Sequence, residues 1–246
     1  MLKILTYAYG PHGPKFITLQ HRSLKRFIAN EFEYVVFNTS EDHGARTNIE
    51  RRCAELGIPH IHAKRDISFG SHASALKHSW QDFRGGCDYL LMLDFDMLLT
   101  KPFNAEDFLK DHDIAGLGQS RGYVPGGENV FYLWPGFLLW NMKTIPDQDK
   151  VNLDGGYVDG VSVDTGGMLC YYLREHPGVK IKSTGQCKFT QPEDAAAALP
   201  PGYDPDYGYE MLCNCFLHFR DGSNWNHRTQ DYHDRKFAFF EKVAAL

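Results

Sequence analysis

Two carboxylates, Asp94 and Asp96, flank Phe95 and are the side chains best placed by type and spacing to do chemistry. They follow the apolar run Tyr89-Leu90-Leu91-Met92-Leu93, which reads as a buried strand. On an extended backbone, positions i and i+2 point to one face, so both carboxylates are expected to converge where the chain leaves a sheet. Like charges this close raise one another's pKa unless a cation shares them. Mg2+ or Mn2+, held by a carboxylate or two together with substrate phosphate oxygens, would resolve the conflict. Such an ion would also stabilise charge developing on a leaving diphosphate. The competing reading is a pair of solvated aspartates opening a turn ahead of Lys101-Pro102.

The preceding sequence supplies elements able to position the pair. Residues 2–7 read as a strand and 14–29 as a helix with Phe16, Leu19, Leu24 and Phe27 inward. Residues 33–37 form a second strand, 44–56 a helix stopped by Gly57, and 58–62 a short third strand. A helix over 71–83, with Ala75, Leu76 and Trp80 on its apolar face, ends at Gly85-Gly86 before the acidic strand. Repeated β-α-β units imply an α/β fold with a mostly parallel sheet covered on both faces. Ligands of such sheets sit beyond the carboxyl ends of the strands, here after Leu5, Phe37 and Leu93. From about residue 112 apolar segments (114–117, 130–140) alternate with Gly-rich loops, so the C-terminal half reads as irregular. With no internal repeat and no flexible linker, residues 1–246 are expected to form one domain.

Composition narrows the function classes. The chain has 246 residues, 43% hydrophobic and 23% charged, as in a globular domain with an ample core. A net charge of −5 and the lack of a basic stripe argue against nucleic acid as partner. No apolar run is long enough for a transmembrane segment and the start lacks a secretory pattern, so a cytoplasmic location is expected. The six cysteines are scattered and read as free thiols. Cys213 and Cys215 with His218 could offer three soft ligands, but zinc sites use wider spacing and a fourth ligand.

From Ser71-His72-Ala73-Ser74-Ala75-Leu76 through Tyr89 to Asp96, the chain resembles the GT-A glycosyltransferases, with a helix leading to a strand that ends in D-x-D. The resemblance implies a Rossmann-like α/β/α sandwich that takes a sugar from a UDP- or GDP-sugar to a hydroxyl acceptor on a glycan, lipid or small molecule. It divides the domain into a nucleotide-sugar-binding half (1–100) and an acceptor-binding half (101–246). Carried over, Asp94 leans towards donor ribose or sugar, Phe95 counts with the donor-binding residues, and Asp96 is the firmer metal ligand. The segment from Phe216 to Trp225 is similar to a late family pattern in which a His, followed by Gly and Trp, completes metal coordination. His218, Gly222 and Trp225 match that pattern, whereas the family's Lys before Pro-Trp is missing. Arg220 is the stand-in cation for the diphosphate, and a neutral imidazole at His218 suits manganese. The alternative is a surface histidine.

Other positions follow from placement. His72, behind Ser71 at a helix start, could reach donor phosphate or sugar, and plain capping by Ser71 is the alternative. Tyr7 and Asn38, ending the first two strands, are candidates to stack on the nucleoside base and read its edge. Trp134-Pro135-Gly136-Phe137 could form a platform for sugar faces or pack in the core. Asp164, ahead of an apolar helix over 168–173, resembles the general base of inverting GT-A enzymes and could equally be an N-cap. Asp159 and Glu128 are reserve bases. The Tyr- and Asp-rich stretch 199–210 is expected to close over the donor and exclude water.

Rival readings remain. Asp94-Phe95-Asp96-Met97-Leu98 comes near the nucleophile motif of haloacid-dehalogenase-like phosphohydrolases, which would make Asp94 the nucleophile. Against it, Leu98 replaces the usual Thr or Val, and the motif usually opens its domain. A sugar-nucleotide pyrophosphorylase would need an Arg that residues 10–14 lack. A non-catalytic carbohydrate-binding protein could keep all these residues.

Overall fold

A computed structural model describes residues 1–62, 70–122, 129–220 and 228–245. Its first half follows the alternation read from the sequence: β1 (Leu2–Ala8), α1 (Gly13–Phe27), β2 (Phe32–Asn38), α2 (His43–Leu56), β3 (His60–His62), α3 (Gly70–Phe83) and β4 (Tyr89–Asp94). Local signals set several ends. Asp42 caps α2 by accepting from the Ala45 amide at 2.7 Å, and Gly57 closes the helix at φ +65°, a left-handed turn favouring glycine.

The second half supplies β5 (Met97–Leu99), α4 (Ala105–Leu109), β6 (Ile114–Arg121), β7 (Val130–Asn141), β8 (Gly156–Val158), β9 (Val161–Val163) and α5 (Leu169–Glu175). It ends with β10 (Ile181–Ser183), β11 (Gln186–Lys188), α6 (Pro192–Ala195), β12 (Glu210–Leu212), β13 (Phe216–His218) and α7 (Gln230–Ala245). The central sheet has the order β10-β6-β7-β4-β1-β2-β3. β3, β2, β1 and β4 run parallel, as do β10 and β6, while β7 is antiparallel to both its neighbours. The fold is therefore the expected mostly parallel α/β sheet.

The C-terminal half is more regular than its sequence suggests. β6, β7 and β10 complete the central sheet, and β11-β12-β13-β5 form a second, four-stranded sheet. Three-residue strands carry too little periodicity to read. Strand alternation divides the core between the two faces of the central sheet. Leu91 and Leu93 join Phe16, Leu24 and Ile49 on one side, and Leu90 and Met92 join Leu76, Trp80 and Trp140 on the other. The 199–210 stretch belongs to the first of these cores and is not a lid. Tyr203, Tyr207 and Tyr209 are buried against Phe239 of α7, and the Tyr203 hydroxyl donates to the Phe189 carbonyl at 2.8 Å. Their apolar rings found a core partner in the last helix, which composition alone could not reveal.

Candidate functional site

β4 ends at Asp94, the chain turns at Phe95 and Asp96, and β5 begins at Met97. The two carboxylates thus converge through a turn and not through strand alternation, correcting the extended-backbone reading. Phe95 anchors that turn. Its ring is buried against Phe16 (5.1 Å, edge-on) and Tyr9 (5.2 Å), so its part is to hold the backbone between the aspartates. Gln20 of α1, wholly buried, spans the turn by donating to the carbonyls of Asp94 (2.7 Å) and Met97 (3.0 Å). Tyr34 in turn donates to the Gln20 side-chain oxygen at 2.7 Å. The Phe219 amide, just beyond β13, donates to the Asp96 carbonyl at 2.8 Å and brings His218 alongside.

Asp94, Asp96 and His218 offer ligand atoms all within 4.8 Å of one another. His218 Nε2 lies 3.5 Å from Asp96 Oδ1, and its Nδ1 faces Glu210 Oε1 at 2.7 Å. Glu210, buried on β12, also accepts from Gln186 at 2.7 Å. The electrostatics are strained. Burial and the charge of Asp96 push the Asp94 carboxyl up to about 7, against the opposing pull of His218. Burial disfavours the imidazolium of His218, yet Asp96 and Glu210 outweigh it and lift that group to about 10. Asp96 is only 3% exposed, and its Oδ1 is buried without a hydrogen-bond partner. An orphaned carboxylate oxygen beside a second carboxylate and an imidazole fits a divalent cation by charge and donor type. Cys213 and Cys215 are free thiols outside this group.

The group opens on a cleft of about 520 Å³ whose wall also includes Tyr7, Tyr9, His72, Phe95, Trp134, Pro135, Asp164, Thr165 and Arg220. A larger cavity of about 770 Å³ adjoins it at the carboxyl ends of β1 and β2, with Tyr9, Gly10, Ser40, Asp42, Asn48 and His72 in its wall. Tyr9 and His72 line both spaces. His72 Nε2 is buried without a partner, and burial drives the imidazole down to about 4 despite the attraction of Asp96, leaving it neutral. The Ser71 side chain lies outside the described residues.

Tyr7 and Asn38 do not present the surfaces expected of them. The Tyr7 hydroxyl pairs with Ser79 at 2.7 Å inside the core, and burial raises its pKa. Phe37 and His72 pack on its ring at 5.7 and 5.4 Å, so Tyr7 lines the cleft while only 2% exposed. Asn38 is 0% exposed. Its amide donates to the Arg46 carbonyl at 3.0 Å and its oxygen accepts from the Ser40 amide at 3.1 Å. It shapes the loop after β2, and the cavity wall falls to Tyr9, Ser40, Asp42 and Asn48 instead. Only the strand-end placement was legible. Which side chains turn outward depends on these local hydrogen bonds.

The opposite wall is built by glycines. Gly116 faces Leu138 in the β6–β7 ladder but Leu117 faces Trp134, so Pro135, Gly136 and Phe137 drop out of pairing with β6. Such a bulge re-aims neighbouring side chains. A Cβ on Gly136 would lie 2.2 Å from the Trp134 ring, so glycine is what lets that ring fold back. Trp134 packs on the His218 imidazole, with centroids 5.2 Å apart, while Phe137 and Trp140 are fully buried. The aromatic-platform reading therefore narrows to Trp134. Beyond it, β8 and β9 form a hairpin whose Asp159 and Gly160 both have positive φ. Asp159 is engaged by Arg174 and Tyr171, pinning the hairpin to α5 away from the cleft.

Asp164 follows β9 and is not the cap of α5, which begins after Met168 without a side-chain cap. It is 73% exposed at the cleft and accepts from Arg121 at 3.1 Å. Arg121 also donates to the Tyr132 hydroxyl at 3.1 Å. The Arg220 side chain reaches the same cleft. Glu128, Gly222 and Trp225 lie outside the described residues. Gln20 and Glu210 escaped the sequence reading, because a buried polar side chain has no signal beyond an unexpected residue type in an apolar stretch, and Gln186 is an exposed residue whose partner only the fold reveals.

No protein-family model matches the chain, and a search of curated proteins finds no relative. Solved structures do match. A mannosyltransferase, PcManGT from Pyrobaculum calidifontis in complex with GDP-Man and Mn2+, aligns with a TM-score of 0.51 at 10% identity. The match covers 74% of this chain and 54% of that one, so the chain spans about half the length of this neighbour. The bifunctional glycosyltransferase WbbM, in its apo structure, aligns at a TM-score of 0.39 and 11% identity over 60% of this chain and 32% of its own, too low to add weight. Among the described residues no helix is long and apolar enough to cross a membrane. Architecture is what the likeness establishes: this chain shares the Rossmann-like α/β fold of a glycosyltransferase.

Proposed function

We propose that this protein is a metal-dependent glycosyltransferase of the GT-A type that moves a sugar from a nucleotide diphosphate to a hydroxyl acceptor. The observation that carries the reading is the Asp94–Asp96–His218 group, with its unpartnered buried oxygen, facing a cleft that adjoins a nucleoside-sized cavity at the strand ends. In this reading Asp94, Asp96 and His218 hold Mn2+ or Mg2+, which supplies charge stabilisation for the departing diphosphate. Tyr9, Ser40, Asp42 and Asn48 enclose the nucleoside. His72, neutral and at the junction of the two spaces, donates to a phosphate oxygen, and Arg220 balances diphosphate charge from the far side.

The sugar lies beside Trp134 and Pro135, and the acceptor enters past Asp164. Asp164 takes the acceptor proton as its oxygen attacks the anomeric carbon, giving inversion. For that the carboxylate must be released from Arg121 or share it with the acceptor. The GDP-Man of the mannosyltransferase neighbour makes GDP-sugars the first donors to try, with UDP-sugars next.

The test is a thermal-shift screen of GDP, UDP and their sugars with and without Mn2+, followed by donor turnover with simple glycoside acceptors. A stabilisation by one nucleotide that needs Mn2+, and consumption of its sugar conjugate, is expected. Failure of every nucleotide to bind, or release of phosphate from a simple phosphate ester without any acceptor, would overturn the reading.

A further inference from the structure

Behind Asp94, Asp96 and His218 stand the buried Glu210 and, at the surface, Gln186. Glu210 on β12 lies directly across from His218 on β13, and both are fixed in the second sheet. One carboxylate oxygen of Glu210 contacts His218 Nδ1 at 2.7 Å and the other accepts from Gln186 at 2.7 Å. Trp134 packs on the imidazole, so the ring has little freedom to turn. A carboxylate only accepts, so Nδ1 is the donor nitrogen and Nε2, facing Asp96 Oδ1 at 3.5 Å, is the atom presented to the cleft.

We propose that the Gln186–Glu210 pair sets the metal preference of this site, favouring Mn2+ over Mg2+, by locking His218 as an electron-rich nitrogen ligand. The proposal rests on the metal-dependent reading above. A carboxylate behind a ligating histidine fixes its tautomer and raises its basicity. Mg2+ gains little from this, because it prefers oxygen ligands and retains its waters. Mn2+ accepts imidazole as well as carboxylate, so strengthening the nitrogen widens the gap between the two ions. Two carboxylates alone would serve either.

Metal binding without any sugar donor tests this. Mn2+ affinity is read from the free-ion electron paramagnetic resonance signal, and Mg2+ affinity by competition, for wild type, Glu210→Gln and Gln186→Ala. Glu210→Gln is expected to weaken Mn2+ about 10–100-fold, the range for such supporting partners. Mg2+ should weaken less, so the preference narrows. Gln186→Ala should shift it in the same direction by a smaller factor, and it decides the matter if Glu210→Gln fails to fold. Equal weakening of both ions, or unchanged Mn2+ affinity in folded variants, overturns the proposal while leaving the metal site standing. A wild type that binds neither ion removes the metal reading and this inference together.

Discussion

The two walls of the cleft are built on opposite principles. On one, Asp94 and Asp96 sit in a turn clamped by Gln20, wedged by Phe95 and tied to β13 by the Phe219 amide, with His218 held from behind by Glu210. On the other, Asp164 stands exposed after a three-residue strand and pairs with the surface guanidinium of Arg121. The first wall is over-determined and carries uncompensated negative charge. The second is open and only lightly restrained. On the proposed function, a site that holds a cation and diphosphate rigidly, yet admits a separate acceptor, needs that asymmetry, because preorganised charge works only if it does not relax.

The sharpest way to break the comparison is to remove the rigid wall's charge. Asp96→Ala should lower metal-dependent turnover by about 10³-fold or more, the several kcal/mol that a bound cation supplies. Circular dichroism should show the fold intact, since no hydrogen bond to its carboxylate other than the His218 contact is lost. Normal turnover by that variant would remove the metal from the chemistry. On the open wall, Asp164→Asn should reduce transfer to acceptor about 10²-fold, the lower end of general-base effects. Donor affinity and slow donor hydrolysis should stay unchanged, which separates the acceptor wall from the donor wall in one kinetic comparison.

A third change exploits the strain directly. Asp94 has its carboxyl raised from 3.8 to about 7 by burial and by Asp96. Below about pH 3 it is neutral folded and unfolded alike. As pH rises from there, the unfolded chain ionises first and the folded state is progressively disfavoured, until the folded group also ionises near pH 7. Asp94→Asn removes that penalty. In chelator, the variant should match wild type near pH 3, gain stability through pH 7, and hold a constant advantage of up to about 4 kcal/mol above it. Denaturant melts at several pH values check this. A variant less stable than wild type at pH 8 would show the acidic pair to be compensated already.

The same asymmetry explains what could be read in advance. β1 to β4 and their helices stood out because each pairs a long apolar period with a stop such as Gly57 or Gly85, and the D-x-D lay at the end of the apolar strand β4. His218 was found through its neighbours in sequence, and the fold alone brings it beside Asp96. The clamp was hidden. Gln20 acts on residues 74 and 77 positions away, and a polar residue within an amphipathic helix does not advertise that it is buried. Asn38 was misjudged for the converse reason, since its partners Arg46 and Ser40 are local and consume the amide. In sequence the tyrosines of 199–210 read as a cover for the donor because Pro, Gly and Asp surround them, but their rings have a partner in α7.

The smallest effect probes the lightest restraint. Arg121→Gln breaks the contact to Asp164, and as both side chains are about half or more exposed the pair should be worth about 0–1 kcal/mol to stability. Thermal melts of the variant should therefore nearly overlay the wild type. If Arg121 serves to aim Asp164 across the cleft, the variant should nevertheless lose transfer rate, and Arg121→Lys should restore part of it, since a lysine keeps the charge but not the second bond to Tyr132. Combining Arg121→Gln with Asp164→Asn then tells restraint from coincidence. Two groups acting as one unit give a double variant no slower than Asp164→Asn alone, whereas independent groups multiply their losses. Multiplied losses would mean that the open wall has two separate contributors and that Asp164 is positioned by its own turn alone, where a Cβ added at Gly155 would lie 3.0 Å from the Asp164 backbone and one at Gly166 2.8 Å from the Pro135 ring.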